Sequence, residues 1–133
     1  MIMKSTALWV NGFQSKVDND RGHEILIDLP ESQGGEDVGA TALELALMGL
    51  SGCISTIFAM VAKKSRLEFD SLKVVVEATK GAATIETVDI KVNVKTTDEA
   101  KAEKVLNQTL EMCPVGVLYK QANVEATHKL IIE

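Results

Sequence analysis

The stretch Gly49–Met60, GLSGCISTIFAM, sets a thiol, Cys53, in the middle of a segment that reads as an apolar helix. The run around it, Leu45–Ala62, carries no charge and is bracketed by Glu44 before it and by Lys63, Lys64 and Arg66 after it. A run of this length just reaches what a membrane span requires. It also holds Gly49, Ser51, Gly52, Ser55 and Thr56, and the alternating patterns downstream need a helix to cover them. The segment is therefore read as a buried helix over about residues 42–64 and not as a membrane span. Thr41-Ala-Leu-Glu44 fits a capping box at its start, and the basic trio suits the dipole at its end. Because the helix is apolar nearly all round, a single sheet cannot cover it. A second sheet, a second helix or another subunit must do so, and a partner chain is the simplest supplier.

Working outward, three short strands are expected before the helix, at residues 5–10, 13–18 and 23–29. Asn11-Gly12 is a tight-hairpin signal between the first two, and DNDRG (18–22) is a second turn. PESQGGEDVGAT (30–41) is a glycine-rich loop. After the helix, the valine-rich segment 71–79 and the strictly alternating segment within 85–95 read as strands. Residues 96–113 form a second helix with Thr97 as its N-cap, interrupted by Pro114. A helical turn at 116–121 and a last strand at 124–132 complete the order β-β-β-α-β-β-α-β. That order predicts an α+β fold with antiparallel strands and helices segregated to one side. At 133 residues, 1–133 is one domain. The net charge is −5 and the fourteen Lys and Arg are scattered, which argues against a nucleic-acid partner. The start, MIMKSTALWVNG, has no long apolar stretch, so a cytoplasmic location is expected.

Cys53 and Cys113 are the only cysteines. In a reducing compartment they are not expected to form a static disulfide; a pairing would belong to turnover. Taken alone, Cys53 fits inert packing, since free cysteine is among the most buried residue types. Its mid-helix position also denies it the N-terminal dipole that lowers a thiol pKa. Gly49 and Gly52 strip bulk from around it, which suits either close helix approach or a crevice reaching the sulfur. Cys113, at a helix end before Pro114, is expected to be mobile and partly exposed. His23 and His128 fall in strands beside charged residues. With two cysteines sixty positions apart they give none of the close ligand pairs of a metal site, so neither metal nor cofactor is expected.

ALELALMGLSGC (42–53), a strand pair, a second helix and CPVGVLYKQANV (113–124) together resemble the family of osmotically inducible protein C and organic hydroperoxide resistance protein, over essentially the whole chain. The resemblance implies an OsmC-like fold, antiparallel sheets on central long helices, in an intertwined homodimer with sites at the subunit interface. It implies thiol peroxidase chemistry on an organic hydroperoxide, with Cys53 as the peroxidatic and Cys113 as the resolving cysteine, and a dithiol as reductant. The family uses an arginine from the N-terminal strands to hold the thiolate and a glutamate near the start of the first helix to hold the arginine. Arg21 is the candidate arginine here, with Lys16 a weaker substitute. Leu43 stands ten residues before Cys53, where one branch has the glutamate; Glu44, one position on, is a weak candidate that capping explains. Gly116 replaces the usual serine. These departures leave open an alternative, a dimeric module that binds an apolar ligand at the interface without turnover.

Overall fold

Turn chemistry builds the first part of the chain. The structure, a computed structural model describing residues 1–133, divides into two compact units, Met1–Ala46 and Leu47–Glu133. In the first, strands β1 (Thr6–Asn11), β2 (Gln14–Asp18) and β3 (Glu24–Ile27) form an antiparallel sheet in that order. The β1–β2 hairpin turns one residue later than expected: Asn11 pairs with Gln14, and Gly12 occupies the left-handed region at φ 49°. A register shift between Trp9 and Asn11 causes the offset, and the Trp9 indole N–H donates to the Gly12 carbonyl at 3.0 Å across the turn. In the second turn, Asp18 and Asn19 side chains accept the N–H groups of Asp20 and Arg21 at 2.8 and 3.0 Å. Both are Asx contacts, which replace a backbone turn bond with a side chain.

The glycine-rich loop is organised by one buried carboxylate. Asp28, 1% exposed, accepts N–H groups from Leu29 (2.8 Å), Glu36 (3.1 Å) and Val38 (3.2 Å). Gln14 beneath it donates to Glu36 at 2.6 Å. The loop folds back until Asp28 donates its own N–H to the Ala40 carbonyl at 3.2 Å. The return is tight enough to demand glycine: a Cβ on Gly35 would lie 1.9 Å from the Leu29 carbonyl oxygen, and one on Gly39 2.2 Å from that of Leu26.

The long helix α1 runs over Ala42–Ser65, as the sequence predicts. Thr41 and Glu44 form the reciprocal capping box: the Glu44 N–H donates to Thr41 Oγ1 at 3.1 Å, and the Thr41 N–H to Glu44 Oε1 at 3.0 Å. By length and composition α1 could cross a membrane. It nonetheless buries a stripe inside the fold: Leu50, Ile54, Phe58, Val61 and Ala62, spaced by three, four and one. Phe58 meets Phe69 edge-on, with ring centroids 5.8 Å apart.

The second unit adds a sheet of β4 (Ser71–Lys80), β5 (Ile85–Lys95) and β6 (Glu125–Ile132), in that order. The central strand β5 buries Val88, Ile90, Val92 and Val94 on one face, the alternation legible in its sequence. Helix α2 (Glu99–Met112) buries Ala102, Val105, Leu106 and Thr109, the i, i+3, i+4, i+7 stripe of an amphipathic helix. Its N-cap is Asp98, whose carboxylate accepts from the Lys101 N–H at 3.0 Å, and not the expected Thr97. Thr96 supports the cap, its Oγ1 accepting the Asp98 N–H at 3.3 Å. Helix α3 (Pro114–Gln121) follows directly. The α+β class and the antiparallel pairing hold except at β6, which joins β5 in parallel, Val88 beside Ala126 and Ile90 beside His128. The physical reason is the crossover: α2 and α3 carry the chain back to the end of the sheet where β5 began, which parallel neighbours require.

Asp28 gives this fold a pH dependence. Burial opposes its ionisation, but the N–H donors of Leu29, Val38 and Glu36 and the Gln14 amide prevail and hold its carboxyl below the ordinary 3.8. A carboxylate with a lowered folded pKa stabilises fully above the unfolded value and loses that contribution as pH falls through the folded one. Asp28→Asn is expected to lower the melting temperature at neutral pH, with the gap from wild type closing as pH drops below about 3.8. Thermal melts across the acid range check this; a gap that stays constant through that range would remove the carboxylate from the account.

Candidate active site

Pro114 cannot continue α2, and the residue before a proline is held out of helical geometry. Cys113 accordingly has an extended backbone, φ −62° and ψ 111°, and serves as C-cap of α2 and N-cap of α3 at once. Its N–H donates to the Thr109 carbonyl at 2.9 Å, and its Sγ accepts the Gly116 N–H at 3.3 Å. The sulfur thus does what a serine or aspartate oxygen does at a helix start. A side chain on Gly116 would meet Cys113 Sγ at 3.5 Å, an ordinary contact, so the site has room for the serine that the resemblance led one to expect there.

The structure brings Cys53 and Cys113 close enough for their thiols to perturb each other electrostatically, and both are free. Exposure departs from expectation in both cases. Cys113 is buried, 1% exposed, and not mobile and partly exposed, because Pro114 turns the chain inward and the sulfur is consumed as a cap. Cys53 is half-buried, so the helical thiol is the more accessible of the two. Gly49 and Gly52 beside it face open space, with nothing within 4 Å of where a Cβ would stand. Burial, then the neighbouring Cys53 thiol, raise the Cys113 thiol to about 11 against the lowering pull of the Gly116 N–H. At neutral pH Cys113 is therefore a protonated thiol.

The other two candidates lie in the first unit. Arg21 sits in the exposed turn after β2, where its guanidinium makes no ion pair and its N–H donates to Asn19 Oδ1 at 3.0 Å. Glu44 is engaged in the capping box, whose hydrogen bonds with Thr41 lower its pKa. No ion pair joins the two.

A cavity of about 240 Å³ lies in the second unit, bounded by α1, α2, α3, β5 and β6. Leu50, Ile54, Val88 and Ile90 give it apolar walls; Cys113 and Gly116 line it where α2 meets α3. Tyr119, Lys120 and His128 contribute its polar groups, while Cys53 does not line it. Sequence reasoning placed His128 on an exposed strand, which it is, but did not connect it with a thiol. The signal was there in the alternation Ala126, His128, Leu130, Ile132: once β6 pairs with β5, these residues share the face of Val88, Ile90, Val92 and Val94. Lys120 and Tyr119 carried no such signal, because their placement depends on how α3 leaves the Cys113 cap.

A fold of two three-stranded sheets and a long apolar helix, with paired thiols at a helix–proline junction, defines a class of small α+β thiol proteins. The family model described as OsmC-like protein matches residues 34–129, and the chain belongs to that family. Among solved structures, the OsmC-like protein from Mycoplasma pneumoniae superposes with a TM-score of 0.86 at 13% identity, covering 99% of this chain and 97% of its own. The organic hydroperoxide resistance protein from Elizabethkingia anophelis gives 0.80 at 20% identity, covering 100% and 97%. The organic hydroperoxide resistance protein OhrB of Bacillus subtilis gives 0.67 at 23%, covering 100% and 98%. At these identities the likeness is one of fold. No curated protein matches the chain in sequence.

The difference between the thiols is directly measurable. In the folded protein near neutral pH, iodoacetamide is expected to label Cys53 well before Cys113, since the latter is buried and protonated; in denaturant the two should react alike. Peptide mapping of a timed alkylation checks the order, and preferential labelling of Cys113 would contradict the structure.

Proposed function

We propose that this chain is a homodimeric thiol peroxidase that reduces organic hydroperoxides in the cytoplasm as part of oxidative-stress defence, the whole chain acting as one OsmC-like domain. The observation that carries the reading is the electrostatic coupling of the Cys53 and Cys113 thiols in a member of the OsmC-like family. Relatives of the same fold named for organic hydroperoxide resistance support the substrate class. In the cycle, the Cys53 thiolate attacks the terminal oxygen of the hydroperoxide, breaking the O–O bond and releasing an alcohol after protonation. Cys53 is left as a sulfenic acid. The Cys113 thiol then displaces that hydroxyl as water and forms a disulfide, which a dithiol reduces.

A thiol in the middle of a helix lacks the N-terminal dipole, so its thiolate needs a cation. Arg21 is the cation proposed for that role, with Lys16 a weaker substitute; Glu44, committed to its cap, is left with a structural part. The homodimer is supported by surface that one chain leaves open. All six residues of β1 are exposed, with Leu8 and Trp9 about two-thirds so, and Phe13, Met48 and Met60 stand in solvent as well. Large apolar side chains left in solvent in each unit suit surfaces that another chain covers.

Two experiments test this. With a dithiol present, the wild type should consume cumene hydroperoxide and Cys53→Ser should abolish that consumption; after one equivalent of hydroperoxide, non-reducing mass spectrometry should find the Cys53–Cys113 link. Free thiols that persist unchanged would favour instead the module that binds an apolar ligand without turnover. For the dimer, Gly52→Leu is the informative change. Within one chain nothing lies near that position, and leucine is the better helix former by about 0.8 kcal/mol. Light scattering should show the variant dissociating, whereas an unchanged particle with a raised melting temperature would count against a partner on this face.

A further inference from the structure

The helices of the second unit cover the core face of its sheet only in part. Register sets Ala126 beside Val88 and His128 beside Ile90 on that face. Val88 is 1% exposed and Ile90 7%, yet Ala126 and His128 stay open to solvent. The helix layer therefore stops short of β6, and the cavity of about 240 Å³ is the gap it leaves. We propose that this gap is a binding site for a small aliphatic monocarboxylate, its chain on Leu50, Ile54, Val88 and Ile90 and its carboxylate beside Lys120 and His128. The site goes beyond the thiol cycle and does not rest on it, since Cys53 does not line the gap and Cys113 is only 1% exposed.

Three observations select this ligand. The first is the walls: two residues of α1 and two of β5 offer aliphatic surface, which favours burial of a hydrocarbon chain. The second is size. At about 240 Å³ the gap is smaller than the roughly 300–1,000 Å³ of typical ligand pockets, which suits a short chain. The third is charge. The protein carries 19 acidic residues against 14 Lys and Arg, yet no carboxylate lines the gap. Its basic side chains are Lys120 from α3 and His128 from β6, with the Tyr119 phenol next to Lys120. An entering anion thus meets no like charge, whereas an ammonium would meet Lys120. The remaining apolar lining would leave a second negative charge without a partner, so a single carboxylate fits better than a diacid.

The full-length protein is titrated with hexanoate, 1-hexanol and hexylamine while its methyl resonances are followed by NMR. Hexanoate should give saturable shifts centred on Ile54, Val88 and Ile90. Hexanol, which keeps the chain but lacks the charge, should bind about fivefold more weakly. Hexylamine should bind more weakly still. Between butanoate and hexanoate, each added methylene should tighten binding about fourfold. Equal binding of the three six-carbon ligands overturns the proposal. So does the absence of any saturable shift, the result expected if a second copy of the chain fills the gap.

Two variants locate the site. Lys120→Met should reduce hexanoate to the affinity of hexanol. Lys120 also stands in the last turn of α3, where a positive charge complements the helix dipole. If that were its whole part, Lys120→Met would lower the melting temperature and leave hexanoate binding unchanged, which overturns the proposal. Ala126→Phe, which projects a ring into the gap from β6, should abolish the shifts, and unchanged binding would equally overturn it. Should that variant fail to fold, Lys120→Met still decides. Cys53→Ser keeps the two readings apart. It should bind hexanoate as the wild type does even where hydroperoxide consumption is lost, so either reading can fail while the other stands; loss of hexanoate binding in Cys53→Ser would overturn a site separate from the thiols.

Discussion

The hydrogen bond from the Gly116 N–H to Cys113 Sγ is the contact on which the second half of this molecule turns. It closes α2 and opens α3 on a single residue, so the chain changes direction without a loop. That change sends β6 back to lie parallel to β5, and the parallel register in turn faces Ala126 and His128 toward the core side of the sheet. The cavity between these elements follows from the same bend. A cysteine is an unusual choice for such a cap, since serine, threonine, aspartate and asparagine lead at N-caps. Its use here makes sense if the position must supply a thiol and a helix start together.

The composition of α1 conflicts with its burial in a single chain, and the conflict is informative. Its buried stripe needs only Leu50, Ile54, Phe58, Val61 and Ala62, yet apolar residues continue round the helix. Gly49 and Gly52 each forgo roughly 1 kcal/mol of helix stability relative to alanine, and no neighbour within the chain forces either of them. Local rules are broken most often at functional sites and interfaces. Both glycines flank the half-buried thiol, where the proposed dimer and the proposed substrate each need space.

Much of the fold was legible because it rests on local chemistry. The capping box at Thr41 and Glu44, the alternation of β5 and the break at Pro114 each placed an element within a few residues. What the sequence did not disclose depends on contacts distant along the chain or on which of two good candidates prevails. Thr97 and Asp98 are both competent N-caps, and only the helix geometry selects Asp98. The hairpin turns at Gly12-Phe13 because a register shift in β1 displaces the Asn-Gly pair. Asp28 carried no motif at all, and its role appears only when residues 29, 36 and 38 converge on it. For the site, the family pattern singled out both cysteines, but the burial of Cys113 and the exposure of Cys53 came out the other way round from a reading of either in isolation.

That inversion bears on how two identical side chains could divide one reaction. A nucleophile must be reached by substrate and must ionise, whereas a resolving thiol must wait, protonated, until its partner is oxidised. Burial suits Cys113 to the second task in the proposed cycle: it raises the pKa to about 11 and keeps solvent oxidants away. Cys53 is reachable but has no helix dipole to ionise it, so the proposed cycle requires a cation beside it. The Cys113 side of that asymmetry is built from burial and capping within the second unit. On the proposed reading, leucine at position 43 bears on how Cys53 is ionised and not on the cap that holds the Cys113 thiol.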